Sequence, residues 1–320
     1  MSAVPCITVL MSVYNDERYV AAAVQSILAQ TFQDFELLVI DDGSTDSSRS
    51  VIEAFDDSRI RIVSRENRGL TASLNEGLLL ARGRYIARQD SDDISLPLRL
   101  EREFALLESH ADVGLVGTNY TIIDEQARAI VTTSVFTHPH DLAIAEIVSN
   151  QYGHGSVMFR KAVLQEVGGY DPSVGHVEDY DLFVRIGRVA KLANIPEPLY
   201  LWRRNPDGVT FSNREEQISQ AFAVRDREFD RILTERDRFR LYSSFHPFDF
   251  HPSPRAYLEK KATLFRDLSY LYRARSMRRE ALIAMCAAMF VAPWVLTSFH
   301  RMFALLKDRS SEPLWEFEWL

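Results

Sequence analysis

The run Gly83-Arg84-Tyr85-Ile86-Ala87-Arg88-Gln89-Asp90-Ser91-Asp92-Asp93 decides how the rest of the chain is read. Arg84 to Gln89 has the make-up of a strand, with aromatic and β-branched bulk in Tyr85 and Ile86. It runs straight into carboxylates at 90, 92 and 93, and Pro97 soon opens a new helix. Carboxylates crowded at the C-terminal end of a strand repel one another unless a cation sits among them. Oxygen-only ligands suit Mg²⁺ or Mn²⁺, and Mg²⁺ commonly uses one or two carboxylates plus substrate phosphates. The edge of an open α/β sheet beyond its strand ends is also where ligands bind. The same run reads equally well as a solvated acidic turn in which Asp93 or Ser95 caps the next helix. The flanking sequence has to choose between the two.

On the N-terminal side, Cys6 to Val13 is a near-continuous apolar run, as expected for a strand buried on both faces. Asn15 or Asp16 is then placed to cap a helix carrying Val20, Val24, Ile27 and Leu28. Phe35 to Ile40 predicts a second strand, ending in Asp41-Asp42-Gly43-Ser44-Thr45-Asp46, a turn that caps a helix with Val51, Ile52 and Phe55. Arg59 to Val63 predicts a third strand, and Leu70, Leu74, Leu78 and Ala81 mark a helix closed by Gly83. This alternation argues for a mostly parallel sheet with helices on both faces. Right-handed crossovers then bring the turns at Tyr14-Asn15, Asp41-Asp42 and Asp90-Asp92 to one edge. Three polar turns converging on one crevice are the main sign of a site.

Beyond Pro97 the pattern predicts a helix with Leu100, Phe104 and Leu107, a strand at Val113 to Thr118, and antiparallel strands within Thr121 to Val135. The strand Val157 to Arg160 and a helix ending at Gly168-Gly169 come next. Glu178-Asp179-Tyr180-Asp181 opens a further helix, and Pro196, Pro198, Pro206 and Gly208 then interrupt regular structure. From Arg214 the chain turns rich in Glu, Gln, Arg and Ala and reads as helices. Ala281 to Phe299 carries no charge but contains Pro293, and arginines flank it.

Composition sets outer limits. With 320 residues, 46% of them hydrophobic, the chain can bury a substantial core. With a net charge of −8 a broad nucleic-acid-binding surface is not expected, which leaves room for local basic patches. Cys6 and Cys286 lie far apart in apolar segments, with neither disulfide nor zinc spacing. Met1 to Pro5 lacks a basic n-region, so the first apolar run is expected to be a strand and the location cytoplasmic. Neither a G-x-G-x-x-G turn nor a Walker A sequence is present.

From Ile7 to about Thr210 the chain resembles the inverting family-2 glycosyltransferases of the GT-A fold. The resemblance rests on Val13-Tyr14-Asn15, Ser26-Ile27-Leu28-Ala29-Gln30-Thr31-Phe32, Val39-Ile40-Asp41-Asp42-Gly43-Ser44-Thr45-Asp46, Asn67-Arg68-Gly69, Asp90-Ser91-Asp92-Asp93, Gly168-Gly169-Tyr170-Asp171 and Glu178-Asp179-Tyr180-Asp181. Each motif alone is weak; together in this order they are highly specific.

The resemblance implies roles. Tyr14 stacks on the nucleotide base, with Asn15 beside it, and Asp42 accepts from the imide N–H. Asp90-Ser91-Asp92 matches the D-x-D element, with Asp92 the more direct metal ligand and Mg²⁺ or Mn²⁺ the cofactor. Arg68 contacts ribose or phosphate, or is simply a surface arginine. Asp179 is the base, with Glu178 and Asp181 as weaker candidates for orienting it or the acceptor. His154 lines the sugar site or packs structurally; His176 precedes Glu178 with no stronger claim. The processive members' Q-x-x-R-W pattern and transmembrane helices are missing, and Leu201-Trp202-Arg203-Arg204-Asn205-Pro206 stands there instead. That implies transfer of a single sugar, with Arg203 or Arg204 folding over the diphosphate from a flexible loop.

The expected organisation is a catalytic α/β domain over 1–212 and a helical region over 213–320, whose segment 273–307 touches a membrane surface or packs on the enzyme. The expected partners are a UDP- or dTDP-sugar donor and a glycan or lipid-linked saccharide acceptor. A non-catalytic nucleotide-sugar-binding scaffold and a nucleotidyltransferase are the competing classes.

Overall fold

A computed structural model describes residues 4–206, 208 and 213–234, together with the isolated positions 263, 264, 267, 268, 271 and 284. The chain divides into two compact units, Met1–Ser244 and Phe245–Leu320. The first unit holds the sheet.

Its N-terminal half is built as the sequence predicts: β1 (Ile7–Val13), α1 (Val20–Leu28), β2 (Phe35–Asp41), α2 (Ser48–Glu53), β3 (Ile60–Ser64), α3 (Leu70–Leu80) and β4 (Tyr85–Asp90). Every residue of β1 and β2 is buried, because helices cover both faces of the sheet there. Val9, Met11, Leu37 and Val39 pack on one face against Val24 and Ile27 of α1. At Gly83, just before β4, a Cβ would lie 2.4 Å from the Thr8 nitrogen, so only glycine lets the chain run this close to β1.

The second half comprises β5 (Ile94–Ser95), α4 (Arg99–Ser109), β6 (Val113–Ile123), β7 (Ala129–Thr132), α5 (Pro139–Val148), β8 (Val157–Arg160), α6 (Lys161–Glu166), α7 (Glu178–Val189), β9 (Lys191–Arg203) and α8 (Arg214–Thr234). Among the described residues the strands form one sheet in the order β3-β2-β1-β4-β8-β6-β9-β5, with β7 on β6. The β3-β2-β1-β4 part is parallel throughout, whereas β8 joins antiparallel to both β4 and β6.

Three expectations need correction, and one further element appears. The α1 helix begins at Val20, not at a cap on Asn15 or Asp16: Asn15 takes a left-handed φ of 50°, a conformation asparagine tolerates, and its side chain serves a neighbouring loop. Pro196 and Pro198 do not end regular structure, because β9 runs through both. They sit where the β6–β9 register shifts, and the Asn119 side chain there donates to the Pro196 carbonyl at 2.8 Å. Helix α5 is an element beyond those expected, although it carries start signals, Pro139 in its first turn and Asp141 just after. Finally, α8 belongs to the first unit although it lies beyond 212. Its Val224 packs on Val177, Tyr180 and Val184, and Glu228 pairs with Arg188 of α7. No helix among the described residues is long and apolar enough to cross a membrane. The segment 273–307, apart from Ala284, lies outside the described residues.

Candidate active site

Parallel register brings the three turns together. Val13 pairs with Asp41 and Ser12 with Asp90, so Tyr14, Asp42 and Ser91-Asp92 leave the sheet at one edge. Hydrogen bonds tie the first two turns to each other. The Thr45 N–H donates to Asn15 Oδ1 at 2.8 Å, the Asp16 N–H to Ser48 Oγ at 2.7 Å and the Glu17 N–H to Asp46 Oδ2 at 3.0 Å. Tyr14 is 51% exposed on this edge, an aromatic face open to a ligand. Asp42 is buried, and its carboxylate accepts the Arg68 and Gly69 N–H groups at 2.9 Å each and the Arg65 guanidinium. In this structure it therefore shapes the β3–α3 loop, where the resemblance implies that it faces an imide N–H. The Arg68 side chain is exposed beside it.

At the end of β4, Asp90 Oδ1 accepts Arg88 Nη2 at 2.6 Å, and Arg88 is fully buried beneath the edge. Asp92 Oδ2 accepts Asn205 Nδ2 at 3.1 Å. Burial, with the charges of Asp90 and Asp16, pushes Asp92 up to about 7. Burial also raises Asp16, with Asp46 and Asp90 adding to it, although the Ser91 hydroxyl opposes the shift. Asp93 is not a solvated cap. It is 1% exposed, its Oδ1 accepts the Arg203 N–H at 2.6 Å, and α4 starts only at Arg99.

The carboxylates at 16, 90 and 92 thus share a partly buried corner in which the charge of Asp90 adds to the cost of ionising Asp16 and Asp92, a cost that a hard cation relieves. Among the described residues no three His, Cys, Asp or Glu side chains converge tightly enough to hold an ion unaided. That donor set fits Mg²⁺ or Mn²⁺ bound by one or two carboxylates, with the remaining positions filled by phosphate oxygens and water.

Arg203 is corrected as well. It ends β9, is 4% exposed, and donates from Nε to the Asp92 carbonyl at 2.7 Å. Its Nη1 reaches the Asp124 and Glu125 carbonyls at 3.1 and 3.0 Å, and its guanidinium lies 4.6 Å from the Tyr19 ring centre. It fastens the Asp90–Asp93 turn to the β6–β7 connection and is no loop-borne clamp. Arg204 is exposed and lines an open depression of about 380 Å³ with Glu125, Arg128 and Pro206.

The opposite wall is the start of α7. Asp179 Oδ2 accepts Asn150 Nδ2 at 2.9 Å, and burial pushes its carboxyl up to about 6, with Asp90 adding to it. Glu178 is pushed up to about 7 by burial and by Asp179, against the pull of Arg88. Asp181 points elsewhere, to Arg185 at 2.7 Å and to Arg227, and is structural. His154 Nε2 lies 2.9 Å from the Tyr170 hydroxyl, and the ring packs on Phe183. Burial and Arg88 hold its pKa well below the usual range, so it stays neutral. The backbone of His176 is fastened to α8, its N–H donating to Gln220 Oε1 at 2.8 Å and its carbonyl accepting from Gln217 at 3.2 Å. Gly155 closes the floor, where a Cβ would lie 1.8 Å from the Tyr200 hydroxyl and 2.6 Å from Asp90 Oδ2.

Four residues at the site escape sequence reasoning: Asp16, read there only as a helix cap, Arg88, Asn150 and Asn205. Arg88 carries a signal, an arginine in the middle of a strand otherwise fit for burial and two positions before Asp90. The two asparagines carry none, since each acts across a long gap in the chain.

Comparison with known proteins bears on the family and the fold. The profile of Glycosyl transferase family 2 matches residues 8–167. The chain is 35% identical over 233 residues to the putative glycosyltransferase EpsE of Bacillus subtilis, spanning 70% of this chain and 82% of that one. It is 34% identical over 185 residues to the O-antigen biosynthesis glycosyltransferase WbnJ of Escherichia coli, spanning 56% of this chain and 71% of that one. Among solved structures it is similar to S. aureus TarS 1–349 in complex with UDP-GlcNAc, with TM-score 0.60, 16% identity and 92% of each chain covered. It is also similar to the mannosyltransferase PcManGT from Pyrobaculum calidifontis in complex with GDP-Man and Mn²⁺. That likeness has TM-score 0.54 and 19% identity, covering 96% of this chain and 82% of the other. The structural likenesses bear on fold and the sequence matches on family: the chain belongs to glycosyltransferase family 2 and has the GT-A fold.

Proposed function

We propose that this glycosyltransferase moves one sugar, with inversion, from a UDP- or dTDP-linked donor to a glycan or lipid-linked saccharide acceptor. The observation that carries the reading is that two acidic pairs from different elements lie close enough for the charge of Asp90 to act on Glu178 and Asp179. Asp92 and Asp90 lie at the end of a strand, and Asp179 and Glu178 start a helix. In this reading Tyr14 stacks on the base, and Asp42 and Asn15 hold the loops around it. Asp92, with Asp90, would hold a divalent ion, which would supply the positive charge that lets the diphosphate leave. Asp179 takes the proton of the acceptor hydroxyl. The acceptor oxygen bonds to the anomeric carbon, and the bond to the phosphate oxygen breaks on the opposite face with its electron pair. Arg68 and Arg204 lie at the rim as contacts for ribose or phosphate. The catalytic unit extends past residue 212 to include α8.

A nucleotide-sugar panel read by calorimetry with and without Mn²⁺ identifies the donor, and NMR of the product gives the anomeric configuration. UDP- or dTDP-sugars are expected to bind best with the ion present, with inverted product. Retention of configuration would sink the assignment of Asp179.

The uncharged Ala281 to Phe299 and its flanking arginines further suggest contact with an anionic membrane surface through 273–307. The full chain should float with acidic liposomes and a chain ending at Arg275 should not; equal behaviour would rule the contact out.

A further inference from the structure

Asn150 comes from the turn after α5, a stretch whose sequence carries no site signal. Its Nδ2 donates to Asp179 Oδ2 at 2.9 Å, while Asp179 Oδ1 accepts the Tyr180 N–H at 2.7 Å. The Asn150 amide cannot flip without loss, because its own Oδ1 accepts the Tyr152 N–H at 3.0 Å. The turn itself is anchored on both sides. Glu146 Oε2 accepts the Gln151 N–H at 2.8 Å, and Gln151 Nε2 reaches the Ser149 carbonyl at 3.0 Å. The Tyr152 hydroxyl donates to the Ala193 carbonyl at 3.0 Å, and its ring sits edge-on to Phe183 at 5.6 Å. Asn150 is thus exposed, yet its backbone is held from the core.

We propose that Asn150 is a positioning residue for sugar transfer, fixing the orientation of the Asp179 carboxylate and holding it in the charged form that accepts the acceptor's proton. This rests on Asp179 being the base. A base needs a lone pair aimed at the hydroxyl, and one donor on each oxygen fixes the carboxylate plane while leaving lone pairs open. A neutral amide suits the task better than a cation. An arginine in its place would lower the carboxylate by roughly 1–3 units and weaken it as a base, whereas an amide opposes the shift upward more mildly. That opposition matters because burial, and after it the charge of Asp90 at the end of β4, disfavour the charged form of Asp179. The Asp179 charge in turn bears on Glu178 beside it, on Glu146 of α5 and on the Tyr120 and Tyr170 hydroxyls, with Arg88 acting on Glu178.

The test tracks the Asp179 carboxyl carbon by ¹³C NMR across pH in the full chain, its signal assigned by disappearance in Asp179→Asn. Asn150→Ala should raise the midpoint by roughly 0.5–1 unit and Asn150→Asp by more, as expected for a lost donor and then an added like charge. UDP binding with Mn²⁺ should stay unchanged in both. With the donor identified by the panel, the pH midpoint of kcat should rise in parallel, with KM for donor unaltered. An unmoved Asp179 titration in both folded variants, or a loss of turnover equal at every pH, would overturn the proposal. Near-normal turnover in Asp179→Asn would instead remove the base assignment on which it stands, so the two failures are distinguishable.

Discussion

Asp179→Asn lowers transfer by about 10²–10⁴-fold, the range that general-base catalysis usually supplies. The variant keeps the size of the side chain and one of its two acceptor contacts, to Asn150 or to the Tyr180 N–H, but cannot take a proton at neutral pH. Nucleotide and metal binding stay near normal, because those contacts are assigned to Tyr14 and Asp92 on the opposite wall. In the wild type the base must be ionised to work, and the carboxyl is pushed up to about 6 by burial. Turnover therefore falls as pH drops through about 6 and levels off above it, and the Asn variant loses this limb of the profile. A purely structural role at the start of α7 predicts the reverse pattern: a lower melting temperature with turnover per folded molecule nearly intact, since carboxylates at helix N-termini stabilise by only about 0.3–1 kcal/mol. Melting temperature, UDP affinity and turnover measured on one preparation separate the two. Near-normal turnover would move the base elsewhere, with Glu178 next to test.

Asp92→Ala removes the dependence of nucleoside diphosphate binding on a divalent ion. In the wild type, UDP affinity is expected to rise sharply with Mg²⁺ or Mn²⁺ and collapse on adding EDTA. Two phosphates placed beside Asp90 and Asp16 meet like charge that only a cation offsets. Even groups that merely orient a metal ligand lower metal affinity about 10–100-fold when lost, so losing a direct ligand should cost at least roughly 100-fold in the ion-dependent part. The variant should retain its fold, since the turn is held to Arg203 through the Asp92 backbone carbonyl. Calorimetric titration of UDP and dTDP, with ion and with EDTA, gives the answer. Equal wild-type affinity in both conditions would end the metal reading.

The parallel half of this fold is legible in the sequence because its signals are local. Buried strands at Ile7–Val13 and Phe35–Asp41 are apolar runs, and the helices between them carry apolar residues at helical spacing. Parallel strands joined by right-handed crossovers leave no choice of edge, so the order of elements alone places Tyr14, Asp42 and Asp92 together. The family, too, is readable from its ordered motifs. Tertiary structure alone decides how each side chain at that edge is engaged. Asp42 accepts from the 68–69 backbone and Arg65, Arg203 is a buried fastener, and His154 is a neutral packed ring. Asn150 and Asn205 reach the site across 29 and 113 residues of chain, distances over which no periodicity or spacing carries information. Pro196 and Pro198 sit inside a strand because the β6–β9 register shifts where they occur, and a register shift is a property of two strands together. Local pattern sets which elements form and in what order. The charge state and partner of a buried polar group depend on what the fold packs against it, and that is set by contacts distant in sequence.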